Sequence, residues 1–229
     1  MDKAEQQWRS VLAAGVKAQR LVRGAVAVGG TAAALYARHR FSNDTDHLVP
    51  GLRDGYDEVR ESLERSPDWK TARVQPPVLI LGSVDGVQVG FRQPRRTSPI
   101  ATSIAHTEAG DLVIPTLDEM LGMKAYLAYS RNAARDYIDF AALSACMGDD
   151  DVLQTLLRSD ARYGELQSNS AALEISKRLC DPKPFDLDSV DLRQYKGLAA
   201  EWQSWDKVAQ TCRRHGHRLA ETLILESDD

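Results

Sequence analysis

The stretch from Gly24 to Val49 constrains this 229-residue chain more than any other. It opens on the apolar run Gly24-Ala25-Val26-Ala27-Val28, which reads as a short buried strand. Gly29-Gly30 ends the run, and Thr31 is placed to cap an alanine-rich helix reaching about Arg38. Thirteen residues, Thr31 to Asn43, then separate the glycines from Asp44-Thr45-Asp46, where alternation resumes and a second strand fits. Each part suits one chemistry. Glycines with no Cβ let the backbone approach a triphosphate closely, and the helix after them turns free N–H groups and a positive dipole end toward phosphate. Asp44 and Asp46, two apart on a strand, point the same way. Paired carboxylates can hold Mg²⁺, whose octahedral oxygen shell is commonly shared with substrate phosphates. Alone, Gly-Gly is usually a turn and Asp-x-Asp a solvated loop or cap; in this order on a strand–helix–strand frame, the two together favour function.

Around this frame the periodicity divides the chain in two. Residues 4–22 read as an amphipathic helix with Trp8, Val11, Leu12 and Val16 on one face. Residues 54–65 read as helix, and 69–75, 78–84 and 87–92 as strands, the last two joined by the two-residue turn Asp85-Gly86. After Pro115 the pattern is helical only: 117–130, 134–147, 150–159 and 168–180, then a Pro- and Asp-rich linker at 181–191, then 199–225, where Gly216 weakens the helical pattern. The expected class is α+β: a small mixed-sheet domain over residues 1–115, including the N-terminal helix, followed by a helical C-terminal domain over 116–229.

Composition excludes some classes. The net charge of −4 argues against nucleic-acid binding over the whole surface, so such a contact must use a local patch. Three widely spaced cysteines do not make a disulfide framework. No segment approaches the ~20 apolar residues that span a bilayer, so a cytoplasmic protein without membrane contact is expected.

Gly29-Gly30-Thr31, the run Arg40-Phe41-Ser42-Asn43-Asp44-Thr45-Asp46, and Lys124, Arg131 and Arg135-Asp136-Tyr137-Ile138-Asp139-Phe140 together resemble the AbiEii/AbiGii-type nucleotidyltransferases of the DNA polymerase β superfamily. That family supplies the toxins of certain bacterial toxin–antitoxin and phage-abortive systems, the mycobacterial MenT toxins among them. The resemblance covers about residues 24–147. It implies transfer of NMP from an NTP, with Mg²⁺ or Mn²⁺, to an acceptor, which for MenT-like toxins is the tRNA 3′ end. It also implies a cognate antitoxin partner. In it, Gly29, Gly30 and Thr31 contact the phosphates, Asp44 and Asp46 bind metal and catalyse, Lys124 contacts the triphosphate, and Asp139 or Asp136 completes the helical side, with Arg135 beside them. Spacing agrees in part. Lys124, Arg131 and Arg135 share a face if their helix is continuous, and Asp136 and Asp139 share one in any case. The bland reading of Arg135 and Asp139 is a surface ion pair worth ~0.3–0.5 kcal/mol.

One position departs from the superfamily pattern. A third carboxylate usually follows the hairpin, and here Gly90 stands in its place in Val87-Gln88-Val89-Gly90-Phe91. Either another acid, such as Asp139 or Glu108, serves as base, or less activation is needed. Alternatively, the chain is a catalytically degenerate binding or regulatory protein. Transfer to a protein, an antibiotic or another small hydroxyl compound also stays open. Among other clusters, Cys212, His215 and His217 lack a fourth zinc ligand and face apart on a helix. Arg92, Arg95 and Arg96, or Arg213, Arg214 and Arg218, are candidate patches for an RNA backbone.

Overall fold

A computed structural model describes residues 3–166 and 168–227; the expected domain ends at 1–2 and 228–229 lie outside it. The chain forms two compact units: one runs to Leu35 and resumes over Phe41–Thr116, and the other takes Tyr36–Arg40 together with everything from Leu117. The sequence reading had placed residues 36–40 in the first domain.

In the first unit, helix α1 (Lys3–Leu21) precedes strand β1 (Val26–Val28), helix α2 (Gly29–Ala37) and strand β2 (Asp44–Leu48). Helix α3 (Tyr56–Glu64) leads to strands β3 (Trp69–Gln75), β4 (Leu79–Val84) and β5 (Val87–Arg92). These strands make one mixed sheet in the order β1-β2-β5-β4-β3, with β2 and β5 parallel and the other neighbours antiparallel. Asp85 and Gly86 both take positive φ, 51° and 80°, as the tight turn between β4 and β5 requires. Strand alternation divides the side chains. Val89, Phe91, Ile80, Val84 and Trp69 enter a core shared with Ala14 and Ala18 of α1, and Thr45 and His47 of β2 are fully buried. Asp44, Asp46, Gln88, Gly90 and Arg92 alternate with these residues and belong to the other face.

A second hairpin, β6 (Thr102–Thr107) with β7 (Gly110–Pro115), was not anticipated. Its first strand is small and polar, and its one large apolar residue, Ile104, is exposed, so the pattern is weak. What fixes it is distant in sequence. The Gln19 amide donates to the Val113 carbonyl and accepts from the Val113 N–H, at 2.7 and 2.9 Å. Leu112 and Ile114 are buried.

The second unit is helical: α4 (Leu117–Arg131), α5 (Ala134–Ser144), α6 (Asp149–Leu157), the short α7 (Ser159–Tyr163), α8 (Ala171–Cys180) and α9 (Trp205–Ser227). Asn132 takes φ of +55° and Ala133 is extended, which separates α4 from α5. Lys124 and Arg131 therefore do not share a continuous helix with Arg135. The last helix begins at Trp205 instead of 199, behind a 3-10 turn at Ala200–Trp202, and it runs unbroken through Gly216. A Cβ at Gly216 would sit 2.7 Å from the Cys180 nitrogen and 2.8 Å from the Leu179 carbonyl carbon. The glycine is there because α8 and α9 approach each other closely, not because the helix ends.

Candidate functional site

Strand β1 runs antiparallel to β2 with Val28 opposite Asp46, so Gly29 follows directly beside that aspartate. Gly29 adopts φ of +70°, a conformation costly for residues with a Cβ, and starts α2 at once. A Cβ on Gly29 would lie 3.9 Å from the Cβ of Asp46. Free N–H groups of the first turn of α2 are thus held near the acidic strand, a geometry suited to phosphate oxygens. Thr31 is not the cap that the sequence indicated. It lies inside the first turn, buried, and its hydroxyl donates to the Asp44 carbonyl at 2.7 Å. Its role is to tie α2 to β2, and only its backbone N–H could meet a phosphate.

Asp44 is exposed and accepts a 2.9 Å hydrogen bond from the Ser42 hydroxyl on Oδ1. Asp46 is half-exposed and receives the Arg92 guanidinium, whose Nε lies 3.3 Å from Oδ1. Their donors are all oxygens, which suits a hard cation. Among the described residues no three His, Cys, Asp or Glu side chains converge as a metal cage. An ion here would take its remaining ligands from phosphate and water, as Mg²⁺ commonly does, and on that count the pair fits one.

Gly90 lies opposite Asp46 in the parallel register. A Cβ there would overlap Asp46 Oδ1 and come within 3.0 Å of Leu81 Cδ2. The place of a third acid is therefore filled by the second one. Arg92, two residues along the same face, was grouped in the sequence with Arg95 and Arg96 as a basic patch. The structure dissolves that patch, because Arg96 is buried with its guanidinium donating to the Pro99 carbonyl at 3.0 Å. Counting by twos along β5 would have placed Gln88, Gly90 and Arg92 together; the contact to Asp46 needed the strand order.

The other carboxylates occupy a different environment. Asp139 is fully buried and accepts from Arg40 Nε at 2.7 Å and Nη2 at 2.9 Å, with His39 Nε2 at 2.7 Å. Lys124 Nζ reaches both Asp139, at 2.8 Å, and Asp136, at 3.0 Å. Burial by itself raises the Asp139 carboxyl, but the Arg40 and Lys124 cations outweigh it and hold the group well below its usual range. The bland alternative, an Arg135–Asp139 surface pair, does not form: Arg135 is exposed and Asp139 is buried on its Arg40 and Lys124 partners. Of the two acids considered as a base, Asp139 is thus sealed from water, and Glu108 is an exposed turn residue paired with Arg9 at 3.3 Å.

Two further clusters resolve as structural. Cys212 and His215 are buried, His215 edge-on to Phe140, while His217 lies 3.7 Å from the Cys180 sulfur. Arg214 pairs with Asp149 at 3.3 Å and Arg218 with Asp150, so these cations answer the acidic start of α6.

Solved structures share this architecture. JHP933 from Helicobacter pylori superposes with a TM-score of 0.55 at 15% identity, covering 100% of this chain and 96% of that one. A nucleotidyltransferase-type structure from H. pylori gives the same score and identity over 97% of both chains. The antibiotic-resistance factor ANT(2'')-Ia gives 0.50 at 13% identity, over 72% of this chain and 96% of that one. These likenesses establish the nucleotidyltransferase fold. No protein-family model matches the chain. In sequence it is similar to parts of mycobacterial MmpL11 proteins. It is 37% identical over 133 residues to the heme uptake protein MmpL11 of Mycobacterium tuberculosis H37Rv, covering 56% of this chain and 13% of that protein. It is 33% identical over 182 residues to the probable transport protein MmpL11 of M. leprae, covering 72% and 17%. The chain thus spans less than a fifth of those relatives. Among its described residues no helix is long and apolar enough to cross a membrane.

Proposed function

We propose that this chain is a metal-dependent nucleotidyltransferase that moves NMP from an NTP to an acceptor hydroxyl and releases pyrophosphate. The observation that carries the reading is the seating of Gly29, at positive φ and at the start of α2, against Asp46 on the exposed face of β2. The resemblance to AbiEii/AbiGii-type toxins supports the tRNA 3′ end as acceptor, a toxin role and a cognate antitoxin. The MmpL11 likeness covers too little of those proteins to carry their transport to this chain.

In this reading the first-turn N–H groups from Gly29 to Thr31 bind the phosphates and orient the triphosphate. Asp44 and Asp46 hold Mg²⁺ or Mn²⁺, with Ser42 and Arg92 fixing the two carboxylates. Bound there, the ion polarises the α-phosphate and stabilises the leaving pyrophosphate. The acceptor oxygen bonds to the α-phosphorus, the bond to the β-phosphate bridge breaks, and the hydroxyl proton passes to solvent. Lys124, Asp136 and Asp139 serve as positioning residues: their ion pairs anchor Arg40, four residues before Asp44. Arg135 is exposed at the start of α5 and is given no role here.

The test is incubation with total tRNA, Mg²⁺ or Mn²⁺ and each α-labelled NTP, beside the Asp44→Ala/Asp46→Ala variant. Label on tRNA that is absent with the variant is the expected result. Gly90 favours a second reading, a nucleotide-binding protein without transfer. Metal-dependent NTP binding that is lost in Asp46→Ala, with no label on RNA, protein or small hydroxyl compounds, would establish it instead.

A further inference from the structure

Resting on the nucleotide-binding reading, we propose that Arg92 is a built-in cation which takes the place of a second metal ion, so that the site binds one divalent ion per nucleotide. Two-metal sites set their ions ~3.5–4 Å apart and need ligands able to bridge them. Here the available anions are Asp44 and Asp46, and a guanidinium already lies 3.3 Å from one oxygen of Asp46. The two carboxylates and Arg92 carry a net charge of −1 before any ion arrives, enough to attract one divalent cation but a poor host for two. A second ion on Asp46 Oδ1 would stand against the fixed positive charge of Arg92, and the repulsion is doubled because the ion is divalent.

The backbone makes room for this arrangement. Because residue 90 has no Cβ, the Asp46 carboxylate lies over β5, where a side chain at 90 would stand, and there it meets Arg92 from the next residue on that face. Gly90 and Arg92 therefore act as a pair: the glycine opens the seat, and the arginine holds the carboxylate in it and supplies the charge. Unlike a recruited ion, this cation is present at any metal concentration and cannot be chelated away.

Equilibrium dialysis of Mn²⁺, with the same non-hydrolysable NTP analogue on both sides, counts ions per chain. One tight ion is expected for the wild type and for Arg92→Lys, which keeps the charge. Arg92→Gln is expected to gain a second ion, bound at least tenfold more tightly than any second ion in the wild type. Its unfolding midpoint, compared with that of the wild type, confirms that the fold is intact. Two tight ions in the wild type, or no gain in a folded Arg92→Gln, would overturn the proposal while leaving the nucleotide-binding reading in place. No Mn²⁺ bound by the wild type, even with nucleotide, would remove both.

Discussion

Asp44 with Asp46, and Asp136 with Asp139, are two pairs of closely spaced aspartates with opposite fates. Asp44 and Asp46 lie on a strand, exposed and half-exposed, with one hydroxyl and one guanidinium as partners. Asp136 and Asp139 lie on a helix, both fully buried, against Lys124 and Arg40 with His39 adjacent. In the sequence both pairs look like candidate catalytic acids. What separates them is charge balance. The helical pair is matched by cations from its own unit and closed to water, so its effect is on structure. The strand pair retains net negative charge facing solvent, beside a helix start with free N–H groups, which is the condition of a ligand site.

Removing Asp139 should give the largest effect. Asp139→Ala leaves Arg40 and Lys124 buried and under-compensated, and should cost ~3–5 kcal/mol in urea unfolding. A loss below about 1 kcal/mol would mean that the buried pair is as dispensable to the fold as a surface one.

Mild acid should act through histidines and leave the Asp139 carboxylate untouched. Burial pushes His47 and His215 down to about 4. Their folded values lie below the unfolded ~6.5, so the stability tied to their neutral forms is complete above that pH and is lost as pH falls toward 4. Between pH 7 and pH 5 each should cost on the order of 2 kcal/mol. Asp139 is likewise held low, and its contribution is lost only as pH falls below the unfolded carboxylate value of ~3.9. His47→Phe should therefore flatten the loss measured between pH 7 and 5, whereas Asp139→Asn should leave its slope unchanged.

Asp46→Ala should shift unfolding by less than about 1 kcal/mol, since its one ion pair is exposed to solvent, yet abolish metal-dependent nucleotide binding by calorimetry. Gly90→Ala is the mildest change. Its methyl displaces the Asp46 carboxylate from Arg92 and should weaken Mn²⁺–nucleotide binding roughly tenfold, as loss of a group that orients a metal ligand does.

Gly29-Gly30, the two-residue alternation of Asp44 and Asp46, and the Asp85-Gly86 turn were legible because each is a local property of the backbone. The partners of those aspartates were not. Arg92 meets Asp46 across 46 positions and His39 meets Asp139 across 100; no periodicity reports a match over such distances. Thr31 misled for a related reason: its hydroxyl is drawn to the Asp44 carbonyl on the neighbouring strand, a stronger claim than the cap its type predicts. The α4–α5 break, by contrast, was legible: the periodicity separates helices at 117–130 and 134–147, and Asn132 takes positive φ between them. The β6–β7 hairpin depends on Gln19, far upstream of it.

The assignment of residues 36–40 to the helical unit has a consequence for synthesis. Arg40 leaves the ribosome 99 residues ahead of Asp139, a delay of about 5–20 s at ordinary elongation rates. Throughout that interval the peptide leading into Asp44 has no anchor for its guanidinium. The segment before the acidic strand is thus completed late, when the helical half has been made, and nascent chains halted near residue 116 should hold that strand less firmly than the finished protein does.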